Sequence, residues 1–228
     1  MAKKIDKTED GMQAVEQALS KTEKFIEANQ KILTIVVGAL VVIILGYFGY
    51  TRLYVQPLEE EANAQLFQAE IYFQQDSLNK ALYGDGNALG FIDISDEFGV
   101  TKAGKLANYY AGICYLHLGE FENAIDYLKD FSLSDHIVAP MALGAIGDAY
   151  MELQDLDAAA KYYVNAAKAD KNEFTAPTFY LKAGMTYEML ENYGKALDMY
   201  QAIKKDFGAS IEARDIEKTI TRLELLSK

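Results

Sequence analysis

Three glycines recur in the second half of the chain at spacings of 35 and 37 residues, Gly112, Gly147 and Gly184, and each is followed three residues later by a tyrosine: Tyr115, Tyr150 and Tyr187. Nine residues beyond each tyrosine stands an alanine, Ala124, Ala159 and Ala196, and four residues on again comes Leu128, Tyr163 or Tyr200. A short polar turn lies between tyrosine and alanine: Gly119-Glu120-Phe121, Gln154-Asp155-Leu156 and Glu191-Asn192-Tyr193. A period of this length describes paired helices that cannot bury an apolar face alone, so stacked units must share one continuous core. On this reading the glycine lets the two helices of a unit come close, the tyrosine fills the space between units and the alanine accommodates it. Pro140 and Pro177 fall where the second and third units open, as suits proline in a first helical turn.

The spacing resembles the tetratricopeptide repeat, whose period is about 34 and whose pattern includes Leu-Gly-x-x-Tyr followed by Ala. Three units open near Lys105, Pro140 and Pro177 and fill residues 105–206. A degenerate unit over residues 52–104 keeps the same offset from Tyr72 to Ala81, but Tyr83-Gly-Asp-Gly-Asn87 then interrupts its second helix before Phe91 to Phe98 resumes it. The loop Gly84 to Asn87 lacks the spaced oxygen ligands of a calcium loop and reads as a glycine turn. In residues 207–228, Ile211, Ile216, Ile220, Leu223 and Leu226 form a stripe between charged residues, as expected of a capping helix with a polar outer face.

Residues 32–51, Ile32 to Thr51, carry no charged side chain. As a helix rising ~1.5 Å per residue they span about 30 Å, the thickness of a bilayer's hydrocarbon core. Twelve of the twenty are Leu, Ile, Val or Phe, and together these favour insertion by about 5 kcal/mol. The run begins too late and is too long for a cleaved signal peptide, and no Ala-x-Ala site follows it. An uncleaved transmembrane helix is therefore expected, with residues 1–31 as a cytoplasmic segment. Lys21, Lys24 and Lys31 precede the span closely, whereas after it Arg52 stands alone until Lys80; the positive-inside rule then places the C-terminal domain outside the cytoplasm. Tyr47, Phe48, Tyr50 and Tyr54 gather at the distal end like an interfacial belt. Thr34-x-x-x-Gly38 is a weak helix-contact signal, Ser20-Lys-Thr-Glu23 fits a capping box opening a helix near Lys21, and Met12, Val15 and Leu19 sit at helical spacing. The fold class is all-α: an N-terminal transmembrane helix followed by a tetratricopeptide-like α-solenoid.

Composition excludes several chemistries. With 34 acidic residues against 22 Lys plus Arg, a nucleic-acid partner is disfavoured. Cys114 is the single cysteine, so no disulfide forms within the chain. His117 has no second ligand candidate beside it, His136 in the connection Ser134 to Ile137 reads as a solvated loop residue, no phosphate-binding loop is present, and neither a cofactor nor an enzymatic role is expected. Function then belongs to a surface. The resemblance implies an inner face lined by the first helix of each unit. Carried over position by position, that face comprises Leu106, Tyr109, Ile113, Leu116 and His117; then Met141, Gly144, Asp148, Met151 and Glu152; then Thr178, Leu181, Met185, Glu188 and Met189. It is apolar and methionine-rich, which suits irregular partners. Family members that clamp a C-terminal carboxylate use Lys, Arg and Asn here, and acidic or apolar residues at these positions disfavour that mode.

The order of parts resembles the YfgM-like family, ancillary subunits of the bacterial Sec translocon that link export to periplasmic chaperones. The resemblance implies a single-pass inner-membrane protein with a periplasmic repeat domain whose partners are translocon components, chaperones or exported polypeptides. The alternative is an envelope-assembly or cell-division scaffold with one dedicated partner.

Overall fold

In a computed structural model the backbone is described for residues 7–226 and side chains for residue 23 and residues 25–226. The chain divides into two compact units, one ending at Tyr54 and the other beginning at Val55. Among the described residues every regular element is helical.

The first unit is built on α1 (Lys7–Tyr50). The capping box at Ser20 is not a helix start: α1 begins at Lys7, because Ala14, Glu16, Gln17, Ala18 and Leu19 are strong helix formers and nothing there stops the helix. The side chains of Met12, Val15 and Leu19 lie outside the described residues. From Ile32 to Tyr50 every side chain except Leu33 and Gly49 is exposed. The helical stretch beginning at Phe25 is long and apolar enough to cross a membrane, with a mean hydropathy of 2.6 over its most apolar part and none of that part buried. The α-helix ends at Tyr50, so Thr51 opens a short π-helical segment, Thr51–Val55.

In the second unit, α2 (Gln56–Gln74), α3 (Leu78–Tyr83) and α4 (Phe91–Phe98) precede three hairpins: α5 (Lys102–Leu118) with α6 (Phe121–Asp130), α7 (Val138–Glu152) with α8 (Leu156–Ala169), and α9 (Ala176–Met189) with α10 (Tyr193–Asp206); α11 (Ile216–Leu226) closes the chain. From α4 onward each helix packs against the next one in sequence, so contacts are between neighbours.

The turns of the three hairpins and the α2–α3 turn close in the same way. Asp76, Gly119, Gln154 and Glu191 all take positive φ. The amide after each one bonds back to a tyrosine carbonyl: Ser77 to Tyr72, Glu120 to Tyr115, Asp155 to Tyr150 and Asn192 to Tyr187. This αL closure satisfies carbonyls that the helix end leaves orphaned, and it recurs unchanged in the degenerate unit. The next helices are capped from within: the Asp155 carboxylate accepts from the Ala158 amide and the Asn192 side-chain oxygen from the Lys195 amide. At α5 the Thr101 hydroxyl accepts from the Gly104 amide, and the Glu59 carboxylate of α2 accepts from the Lys102 and Ala103 amides at 2.6 and 3.1 Å. This cap from a distant helix ties the degenerate unit to the first full hairpin.

The loop after α3 is a glycine turn. Gly84 has φ 75°, and an added Cβ at Gly90 would lie 2.1 Å from the Leu82 carbonyl oxygen. Asp85 organises the loop, accepting from the Asn87 and Ala88 amides and from the Tyr72 hydroxyl at 2.7 Å. These bonds, the tyrosine's foremost, pull its carboxyl down to about 2.

The repeat glycines do what their spacing implies, each against the residue that ends the motif. A Cβ at Gly112 would meet Leu128, at Gly147 Tyr163 and at Gly184 Tyr200, all within 2.7 Å. The motif tyrosines pack within their own unit as well as between units. Tyr115 stacks on Tyr127 and Tyr150 on Tyr162, at 5.3 and 5.4 Å, so their rings cover the second helix of their own unit. They also meet the preceding unit: Tyr115 joins the core that contains Leu82 and Phe91 and bonds Tyr83, and Tyr150 packs against the core that contains Ile125 and Leu128, with Lys129 Nζ 5.9 Å from its ring centre. The stripe of the capping helix is also shorter than expected. Ile216, Ile220 and Leu223 are buried, but Ile211 is 74% exposed in the connection before α11 and Leu226, the last residue of α11, is exposed.

Gly147→Ala is expected to destabilise the repeat domain by about 1 kcal/mol: overpacking against the buried Tyr163 ring costs about 1–3 kcal/mol and outweighs the gain in helix propensity of about 1 kcal/mol. Gly194→Ala, whose added methyl meets open space, is expected to stabilise instead. Denaturant titration followed by far-UV circular dichroism distinguishes the two signs.

Candidate protein-binding surface

The first helices α5 and α7 leave a cavity of about 550 Å³ between the first two hairpins, lined by Leu116, His117, Gly119, Phe121, Asp148, Met151, Glu152 and Tyr163. Five of the candidate residues therefore meet in one place. Leu116, Phe121 and Met151 supply its apolar walls and Glu152 an exposed carboxylate. His117 is exposed, with its ring 6.4 Å from that of Phe73.

The other candidates separate. Leu106, Tyr109 and Ile113 are half-buried and pack into core clusters, Tyr109 with its ring 5.8 Å from Phe131. Gly144 lines no groove: it is buried beneath Phe179, whose ring an added Cβ would meet at 1.9 Å. Met141 and Thr178 line a second cavity, of about 520 Å³. Leu181 packs against the C-terminal core, whereas Met185 and Met189 stand 55% and 57% exposed on α9. Glu188 is engaged within the chain, accepting from the Tyr200 hydroxyl at 2.7 Å and from Arg222 Nη2 at 2.6 Å.

Asp148 is held in the same way. It accepts from the Tyr163 hydroxyl at 2.6 Å, and Lys182 reaches both its oxygens, at 2.7 and 2.9 Å. In each case a first-helix acid is clamped by a tyrosine of its own hairpin and by a cation from a later helix. With Lys182 and Asp148 each more than a third exposed, the ion pair contributes about 1 kcal/mol at most. The tyrosines contribute more through burial, which pushes the Tyr163 and Tyr200 hydroxyls up, with Asp148 and Glu188 adding to the rise. Both therefore remain donors at all physiological pH values. Lys182, Tyr163 and Arg222 lie outside the inner-face positions, yet the clamps carry a sequence signal. Lys182–Asp148, Arg222–Glu188, Thr178–Glu212 and His136–Asp170 are each 34 residues apart, one repeat period.

His136 is 91% exposed but not merely solvated. Its Nδ1 lies 2.5 Å from Asp170 Oδ2, and its carbonyl accepts from the Asn172 side chain. The bond to Asp170 raises the histidine above its ordinary value. A raised histidine contributes stability that is complete below the unfolded value, near 6.5, and lost as pH climbs through the folded one. An NMR titration is expected to place the His136 midpoint above that of an unstructured histidine and to return it there in Asp170→Asn. Cys114 is buried, which pushes its thiol up to about 12 and leaves no thiolate at neutral pH. Among the described residues no cluster of three His, Cys, Asp or Glu could hold a metal ion.

Neighbour-packed hairpins, recurrent αL turns and small-residue helix contacts define a helical repeat protein. Residues 145–210, from within α7 to the connection after α10, match the tetratricopeptide repeat, so the stretch that resembles that repeat in sequence is also packed as paired helices. No curated protein matches the chain.

Proposed function

We propose that this chain is a membrane-anchored protein-interaction module, held by α1 and binding polypeptides on the first-helix face of its repeats. The observation that carries the reading is the combination, in one chain, of an apolar helix with no buried face and tetratricopeptide hairpins that leave a cavity between Leu116 and Tyr163. No reaction needs to be invoked. The cavity joins apolar walls to the Glu152 carboxylate and to Asp148, which is engaged by Tyr163 and Lys182. The charge asymmetry around Ile32 to Thr51 favours a cytoplasmic N-terminus and an exported repeat domain, as in single-pass proteins of the inner membrane. In that setting the partners are components of the Sec translocon, periplasmic chaperones or exported polypeptides in transit.

Purification of the tagged full-length protein in mild detergent tests this reading. Translocon or chaperone components are expected to co-purify, and Met151→Glu, which places a charge in the cavity, is expected to reduce their recovery at least fivefold. Recovery of neither class contradicts the export role. Protease treatment of spheroplasts should degrade the repeat domain and spare residues 1–31; the opposite pattern contradicts the orientation.

A further inference from the structure

The cavity of about 520 Å³ between the α8–α9 loop and the α10–α11 connection lies apart from the residues that line the first-helix cavity, and its walls share none of them. Met141, Phe174, Phe179 and Ile211 make most of it apolar, Glu173 and Glu212 are its only charged residues, and no Lys or Arg lines it. We propose that this cavity is a second polypeptide site, which takes a bulky apolar side chain flanked by Lys or Arg.

Phe174 and Ile211 are 73% and 74% exposed on the two segments that bracket the opening. Burying such a side chain is favourable, yet the chain holds Phe174 in water with a rigid turn. The Asn172 side-chain oxygen accepts from the Phe174 and Thr175 amides, while its nitrogen donates to the Thr175 hydroxyl and the His136 carbonyl. The turn is thus fixed at four points with the phenyl ring projecting from it. The floor is fixed as well, because Phe179 lies back against Gly144, where any side chain would displace it.

The charge selects the occupant. Glu212 is anchored by the Thr178 hydroxyl at 2.7 Å. Burial alone would raise its carboxyl, but bonds from Thr178, its own backbone and Ser210 outweigh that and hold it below the usual range, so it stays ionised. Beyond residue 51 the chain carries 28 acids against 16 Lys plus Arg, a field that attracts basic segments and repels acidic ones. An apolar socket with two carboxylates and no cation therefore matches a segment in which a Phe or Leu stands beside basic residues.

The test uses full-length protein in zwitterionic-lipid nanodiscs and a fluorescein-labelled peptide with Phe-Leu between two lysines on each side, read by anisotropy at low salt. Phe174→Ser with Ile211→Ser alters only exposed side chains and is expected to weaken binding at least tenfold. Glu173→Gln with Glu212→Gln retains a partner for the Thr178 hydroxyl and is expected to weaken it about fivefold. Asn165→Gln, exposed on α8 and outside both cavities, should leave it unchanged, and a peptide with glutamates in place of lysines should not bind. Unaltered affinity in the two double variants, equal binding of the glutamate peptide or no binding at all overturns the proposal. Loss of binding in Asn165→Gln also overturns it, while leaving the first-helix surface standing.

Discussion

Tyr200→Ala is expected to cost the repeat domain about 3–5 kcal/mol, the range for removing a large ring from a packed core. Tyr200 is 1% exposed, its ring fills the space that Gly184 leaves, and its hydroxyl holds Glu188. Truncation opens a cavity between α9 and α10 and leaves Glu188 to Arg222 alone, loosening the link to α11. Against a total of about 5–15 kcal/mol for a domain, this is a large share. Because neighbours carry the stability, α9 to α11 should lose hydrogen-exchange protection before α5 and α6 do. Tyr200→Phe keeps the ring and should cost only about 1 kcal/mol. A Tyr200→Ala midpoint within experimental error of the parent, in denaturant titrations followed by far-UV circular dichroism, would show that the glycine–tyrosine contact is not a keystone of the stack.

Deleting residues 32–51 is the second large effect, expected to move the protein wholly from the membrane pellet to the soluble fraction while the repeats stay folded. The stretch carries about 5 kcal/mol of insertion energy and has no buried face that the repeat domain would miss. A graded version is Val42→Arg: Val42 is exposed near the middle of the run, and a central arginine costs roughly 3 kcal/mol. Resistance to carbonate extraction should fall in Val42→Arg and vanish in the deletion. A deletion variant that still pellets as the parent does would remove the anchor from the account.

The hairpins were legible because their determinants are local. A glycine three residues before a tyrosine, an alanine nine residues on and a polar turn between them can all be read along the chain, and even the degenerate unit betrayed itself by the Tyr72–Ala81 offset. What escaped were contacts that depend on which face a side chain takes. Ile211 looked like part of the last helix because it continues an apolar stripe, but the chain turns through residues 208–215 before α11 begins. Gly144 fell on a lining position by register, yet Phe179 of the next hairpin covers it. Tyr109 and Ile113 take inner-face positions by register, but each is half-buried by packing between hairpins. The cation partners of the acid clamps stand one period apart, so these pairs join two units and leave no pattern within either one.

Photo-cross-linking in living cells from probes at Tyr109, Met151 and Met189, with controls at the exposed Lys161 and Asp198, tests most directly whether the first-helix face grips polypeptide. Met151, in the cavity wall, should give the strongest adducts to other proteins, the half-buried Tyr109 weaker ones, and the two control positions none. Adducts from Lys161 and Asp198 with none from Met151 would contradict the assignment of the binding surface and, with it, the function proposed for the repeats.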